Sequence, residues 1–118
     1  MQALDWDRVP VERVTDGITR QLVTGKNEMM ARVSLAKGAV VPTHSHVSEQ
    51  ISWTLSGCLR LWIGDGEEVV TLHPGQFVVI PPDVPHRAEA LEDTVEVDLF
   101  SPIRQDWLDG TDTYFHRK

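Results

Sequence analysis

The chain has a single cysteine, Cys58, among its 118 residues, so no internal disulfide can staple the fold. No base stands beside Cys58 in sequence, and a buried packing thiol is expected rather than a nucleophile. Also missing are a signal-peptide pattern at the N-terminus and any apolar run long enough to span a bilayer, which makes a cytoplasmic protein with no membrane partner the expectation. Basic charge is scarce: 11 Lys and Arg stand against 18 Asp and Glu, a net charge of −7. With no basic stripe to contact phosphates, nucleic acid is not an expected partner. A small anion could still bind, but only where single arginines or a bound cation supply positive charge against an unfavourable overall field. Helical periodicity, internal repeats and low-complexity segments are nearly or wholly absent.

What the chain has instead is strand signals. Its length suits one core and not two, so residues 1–118 are read as one domain. Residues 1–17 lack a clear period and read as an irregular lead-in with room for a short edge strand. Residues 18–23 and 29–35 flank Thr24-Gly25-Lys26-Asn27 as a hairpin. Further strands are expected at 51–55, 59–63, 69–72, 77–80, 86–90 and 94–100, punctuated by Ser56-Gly57, Gly64-Asp65-Gly66, His73-Pro74-Gly75 and Glu92-Asp93. Strands at such short, regular spacing predict an all-β sandwich or barrel. One short helix is expected, with Ser101 as N-cap, Pro102 at its first position and Gly110 as its stop. Residues 111–118 carry no readable function.

Chemistry concentrates in two stretches. In residues 38–57, GAVVPTHSHVSEQISWTLSG, His44 and His46 are two apart, so on an extended strand both imidazoles leave one face, close enough to share an ion at the usual distance of about 2.1 Å. Gln50 falls on the same parity if the strand runs on or resumes after a short turn. Residues 77–80 then run into a proline-rigid turn, Pro81-Pro82-Asp83-Val84-Pro85, that delivers His86. Three histidines and an amide oxygen could meet at one point, whereas His73 and His116 fit neither stretch and are assigned to surface or turn. Such a neutral donor set leaves a divalent ion its full charge, which favours anion binding and polarisation of carbonyl or carboxylate oxygens. It accepts Ni, Zn, Mn, Co or Fe.

Residues 95–100 alternate Val, Glu, Val, Asp, Leu, Phe. One parity puts the aliphatic set in the core with Glu96 and Asp98 in water. The other puts Asp98 and Phe100 beside the metal and presses Val95, Val97 and Leu99 against another sheet or subunit. Ile51, Trp53 and Leu55, opposite in parity to Gln50, behave alike, and an outer apolar face of this kind suggests a homodimer. Periodicity alone does not choose between the two.

The two stretches resemble the motifs of the cupin superfamily. Gly38, His44, His46, Gln50 and Gly57 hold the first motif, with glutamine in place of glutamate. Gly75, Pro81, Asp83 and His86 hold the second, with Asp83 in place of glycine and Ala90 in place of the closing asparagine. More narrowly, these residues together with the run from Asp98 through Phe100 and Arg104 to Gly110 resemble the KdgF-type cupins, or pectin degradation proteins, in which a glutamine ligand is expected. The resemblance implies a single-domain jelly-roll barrel or sandwich with a short C-terminal helix, its motifs at residues 38–57 and 75–90. It also implies one divalent transition metal on His44, His46, Gln50 and His86. The implied activity is conversion of 4,5-unsaturated monouronates, from pectin or alginate lyase action, to linear keto-uronates. Asp98 would be the acid/base, Phe100 would shape the sugar pocket, and Arg104 would grip the substrate carboxylate at two points from the first turn of the helix. Two rival functions are a non-catalytic sugar-acid-binding cupin, which would not need Asp98, and a three-histidine iron dioxygenase.

Overall fold

The computed structural model describes residues 1–116, with the side chain of His116 outside that description. Ten strands follow in order: β1 (Glu12–Thr15), β2 (Ile18–Thr24), β3 (Met29–Leu35), β4 (Val40–His44), β5 (Glu49–Ser56), β6 (Leu59–Ile63), β7 (Glu68–Leu72), β8 (Phe77–Ile80), β9 (His86–Ala90) and β10 (Thr94–Ser101). One helix, α1 (Gln105–Asp109), and 3-10 turns at Trp6–Arg8 and Thr113–His116 complete it. The strands form a six-stranded sheet ordered β1-β2-β3-β10-β5-β8 and a four-stranded sheet ordered β4-β9-β6-β7. Neighbouring strands in both are antiparallel. This is a jelly-roll sandwich of two separate sheets, not a closed barrel. The lead-in supplies the edge strand β1, which among the described residues pairs only with β2.

The core lies between the sheets, and strand periodicity accounts for most of it. On β3, Met29, Ala31, Val33 and Leu35 are buried while Met30, Arg32 and Ser34 are not. From the facing sheet Leu59, Leu61, Leu72, Ala88 and Ala90 pack against them. Cys58 is buried and free, as expected of a packing thiol. The motif turns are set by backbone conformation. At Gly57, φ is +84° and an added Cβ would lie 2.2 Å from the Asp93 carbonyl oxygen, so only glycine fits. Asp83, which stands where the cupin pattern has glycine, adopts φ 61° and donates its N–H to the His46 carbonyl at 2.8 Å. Aspartate tolerates the left-handed region better than most residues, which explains the exchange.

The helix begins later than the Ser101-Pro102 signal predicts. Ser101 extends β10 opposite Glu49, and its hydroxyl donates to the Asn27 carbonyl at 3.1 Å instead of capping a helix. Arg104 therefore occupies the N-cap position and not the first turn, and α1 is a short five-residue helix whose buried residue is Trp107. Gly110 does end it, in the left-handed conformation at φ 70°.

On β10 the buried residues that face the four-stranded sheet include Glu96, Asp98 and Phe100. Leu99 points outward and is exposed. Val97 also points outward but is covered by its cross-strand neighbours Arg32 and Trp53. The parity that sends the carboxylates inward is the one realised.

Candidate functional site

His44 ends β4 directly opposite His86, the first residue of β9, beyond a register shift between Val41 and His44. His46 is not on the strand. It sits in the loop after β4, and the chain resumes as β5 in time to bring Gln50 to the same point. The ligating atoms of His44, His46 and His86 all lie within 4.8 Å of one another, a cluster suited to one metal ion. His73, by contrast, is exposed in a turn.

Each ring is held by a carbonyl two residues away: Nδ1 of His44 on Pro42 O at 2.8 Å, Nδ1 of His46 on Ser48 O at 2.9 Å, and Nδ1 of His86 on Val84 O at 2.9 Å. A carbonyl can only accept, so each Nδ1 carries the proton and each Nε2 presents a lone pair. This is the outer support that fixes the tautomer of a ligating histidine. Burial, reinforced by the neighbouring His86, lowers the His44 pKa from 6.5 to about 3. Burial, then the charge of Arg104, lowers that of His46 to about 4, and burial also lowers that of His86. The imidazoles are therefore neutral, as ligands must be.

Two features of the donor atoms fit a cation. The Nε2 of His86 is buried without a hydrogen-bond partner. The Nε2 of His46 lies 3.0 Å from Gln50 Oε1, although both atoms are acceptors. The amide orientation of Gln50 is set on its other side, where Nε2 donates to Ser52 Oγ at 2.8 Å and Asp98 Oδ1 at 3.3 Å. Two lone pairs in contact repel unless a cation lies between them, and donors each about 2.1 Å from one ion at roughly a right angle stand about 3 Å apart.

Below this cluster is a largely enclosed cavity of about 40 Å³. Asp98, fully buried, accepts from Ser52 Oγ at 2.7 Å. Burial pushes its carboxyl above the ordinary carboxylate range, while hydrogen bonds with Glu96, Ser52 and Gln50 pull the other way. Phe100, opposite Gln50 across the strands, sets its ring edge-on to His46 at 5.7 Å and to Trp107 at 5.0 Å. Arg104 is 2 % exposed. Its Nε and Nη2 hold both oxygens of Asp106 at 2.9 and 2.8 Å, and Nη2 also reaches the Tyr114 hydroxyl at 3.2 Å. The side-on fork expected to grip a ligand at two points is thus already filled by Asp106. What remains is Nη1, buried without a partner.

Several contributors went unassigned in sequence. Ser52 and Glu96 share the parity of Gln50 and Asp98, a signal that was there to be used. Tyr114 had none. It lies in the C-terminal segment outside both motifs, yet its ring stacks on His44 at 4.2 Å with planes 3° apart, and its hydroxyl accepts from Trp107 Nε1 at 3.0 Å.

Comparison with known proteins identifies the family. The family described as Cupin domain matches residues 31–101. The pectin degradation protein KdgF of Dickeya dadantii (strain 3937) is 34 % identical over 105 residues, 86 % of this chain and 94 % of that protein. The chain belongs to the cupin superfamily, among its KdgF-type members. This cupin also superposes on the solved structure of KdgF from Halomonas sp. with a TM-score of 0.80 at 33 % identity, covering 87 % of this chain and 96 % of that one. An RmlC-like cupin from Shewanella frigidimarina gives a TM-score of 0.82 at 25 % identity, with 88 % and 93 % covered.

Proposed function

We propose that this cupin is an enzyme of pectin or alginate breakdown that converts 4,5-unsaturated monouronates into linear keto-uronates. The observation that carries the reading is the partnerless Nη1 of Arg104 in the same buried cavity as Asp98 and the histidine cluster. A buried guanidinium with an idle donor asks for an anion, and a uronate carboxylate supplies one. The kinship with proteins named for pectin degradation supports the substrate class.

His44, His46, Gln50 and His86 would hold one divalent metal. Such an ion, when bound, polarises a hydroxyl or ring oxygen of the sugar. Asp98 takes the proton of the anomeric hydroxyl as the bond from C1 to the ring oxygen breaks, leaving an aldehyde and an enol(ate) over C4 and C5. The same carboxyl returns the proton to C4, giving the keto form with no other reactant consumed. Arg104 Nη1 binds the substrate carboxylate, and Phe100 forms the wall that fixes the ring. A protein that only bound sugar acids would have no need of a carboxylate buried at that point, which favours turnover over simple binding. The enclosed cavity, about 40 Å³, is smaller than a six-carbon sugar acid, so binding requires its lining to yield.

A second copy of the chain covers the outer face of the six-stranded sheet, where Trp53 is 42 % and Phe77 66 % exposed beside Leu55, Val79 and Leu99. An exposed apolar sheet face of this kind can meet its own copy across a two-fold axis. The functional reading is tested by mixing purified protein with an unsaturated monouronate and following the double-bond absorbance. Loss faster than in a protein-free control is expected, and an identical rate would overturn the assignment.

A further inference from the structure

The arginine that would hold the substrate anion offers it one nitrogen, whereas a carboxylate has two oxygens to satisfy. Every N–H of the Arg104 guanidinium can be placed. Nε donates to Asp106 Oδ1 at 2.9 Å, and Nη2 donates to Asp106 Oδ2 at 2.8 Å and to the Tyr114 hydroxyl at 3.2 Å. Nη1 is buried without a partner. A guanidinium carries five N–H donors, so the two on Nη1 are the ones left over.

Tyr114 has a surplus of the same kind. Its hydroxyl oxygen accepts from Arg104 Nη2 and, at 3.0 Å, from Trp107 Nε1. Both partners are donors only, so neither can receive the hydrogen of the phenol itself. The two accepted bonds fill the oxygen's lone pairs, and the O–H is left to donate elsewhere. Accepting a bond from a charged guanidinium also polarises that O–H into a stronger donor. Tyr114 is 8 % exposed, and it lines with Arg104 the cavity that holds Asp98 and the histidine cluster. The ring is held by its stack on His44, and the segment by the ion pair of Asp112, two residues earlier, with Arg20 at 2.7 Å.

We propose that Tyr114 is a substrate-binding residue whose O–H acts with Arg104 Nη1 as a two-point clamp, each donor holding one oxygen of the uronate carboxylate. The clamp takes the place of the side-on fork that Asp106 occupies. It also selects for the acid: a neutral hydroxymethyl group offers one uncharged oxygen, a poorer match for two donors of which one is cationic. Tyr114 lies outside residues 31–101, the stretch that matches the cupin family, so the general cupin pattern does not supply this donor. The identity of the anion rests on the uronate reading, whereas the pair of idle donors does not.

The chain has one tyrosine, so tyrosine isotope-labelled at Cζ gives a single carbon NMR signal that needs no assignment. The protein is loaded with zinc, a diamagnetic ion that this donor set accepts. Galacturonate, a saturated monouronate, should move the signal to higher frequency along the binding curve read by calorimetry, and galactose should leave it in place. Tyr114→Phe should weaken galacturonate binding about fivefold and lower kcat/KM for the unsaturated uronate about fivefold through KM, with a neutral analogue little changed. A hydroxyl with only a structural role would slow charged and neutral substrates alike. Failure of galacturonate to bind, binding that leaves the Cζ signal in place, or equal losses for the two substrates would overturn the clamp. Should galacturonate bind and move the signal while unsaturated uronates stay unconverted, the turnover reading falls and the clamp stands.

Discussion

Along β5 and β10, the side chains facing the four-stranded sheet include Gln50, Ser52, Thr54, Glu96 and Asp98, all buried, while Trp53, Leu55 and Leu99 face away and are exposed. The neighbouring β8 adds Phe77 and Val79 to the outer side. In a half-buried antiparallel sheet the apolar set ordinarily goes inward. Here much of the inner polar set is tolerated because its members satisfy each other: Gln50 donates to Ser52 and Asp98, and Ser52 donates to Asp98, whereas Thr54 Oγ1 and Glu96 Oε2 are left without a partner. The outer set has no such internal remedy and is satisfied only by being covered. Inverted polarity thus marks the inner face as the candidate site and leaves apolar side chains on the outer one.

Breaking the inner face should have the largest effect. Asp98→Asn keeps the shape and removes the base, so turnover of an unsaturated uronate should drop by at least about a hundredfold, with metal content by elemental analysis unchanged. His46→Ala should instead lose the metal, and equal metal in both proteins would reject the ligand set. At Arg104, lysine retains the charge but cannot hold Asp106 at two points and also offer a donor to the ligand. Arg104→Lys should cost about 1.5–3 kcal/mol, a tenfold to hundredfold fall in kcat/KM for the charged substrate and much less for a neutral analogue. Tyr114→Phe keeps the stack on His44 and removes only the hydroxyl that Arg104 and Trp107 share. A loss of about 1 kcal/mol, or roughly fivefold in kcat/KM, should follow.

On the outer face, Trp53→Asp should convert a dimer to a monomer in sedimentation velocity while leaving uronate turnover within about twofold, because nothing on that face contacts the reacting groups. The inner face also sets a pH response. In chelator-treated protein, His44 and His46 titrate near 3 and 4 when folded against 6.5 when unfolded, so between these values the unfolded chain binds the extra protons. The histidine contribution to stability in urea should accordingly be level above about pH 6.5 and decline as pH falls toward 4, while Glu96 and Asp98, whose carboxyls burial holds above the ordinary range, contribute in the opposite sense as pH rises.

Much of the fold was legible because strand turns are local chemistry. Glycine, proline and short polar pairs end each strand where the backbone must reverse, and β6, β8 and β9 begin and end as those signals predict. The motif histidines were legible for a similar reason, since their spacing is fixed along the chain. The start of α1 was not. Ser101 and Pro102 have good helix-start chemistry, but cross-strand pairing with Glu49 holds Ser101 in β10 and moves the start to Gln105.

By itself the sequence determined which residues could become strands, where they turn, and which side chains could bind a metal, because each depends on neighbours a few positions away. Only the tertiary structure decided the parity of β10. Alternation is symmetric under a one-residue shift, and what breaks the symmetry is the set of partners each face meets: Ser52, Gln50 and the histidine cluster on one side, Arg32 and Trp53 on the other. Tertiary structure likewise decided that Tyr114, 70 residues further along the chain than His44, stacks on it. Such a contact joins distant parts of the chain, and no local pattern encodes it.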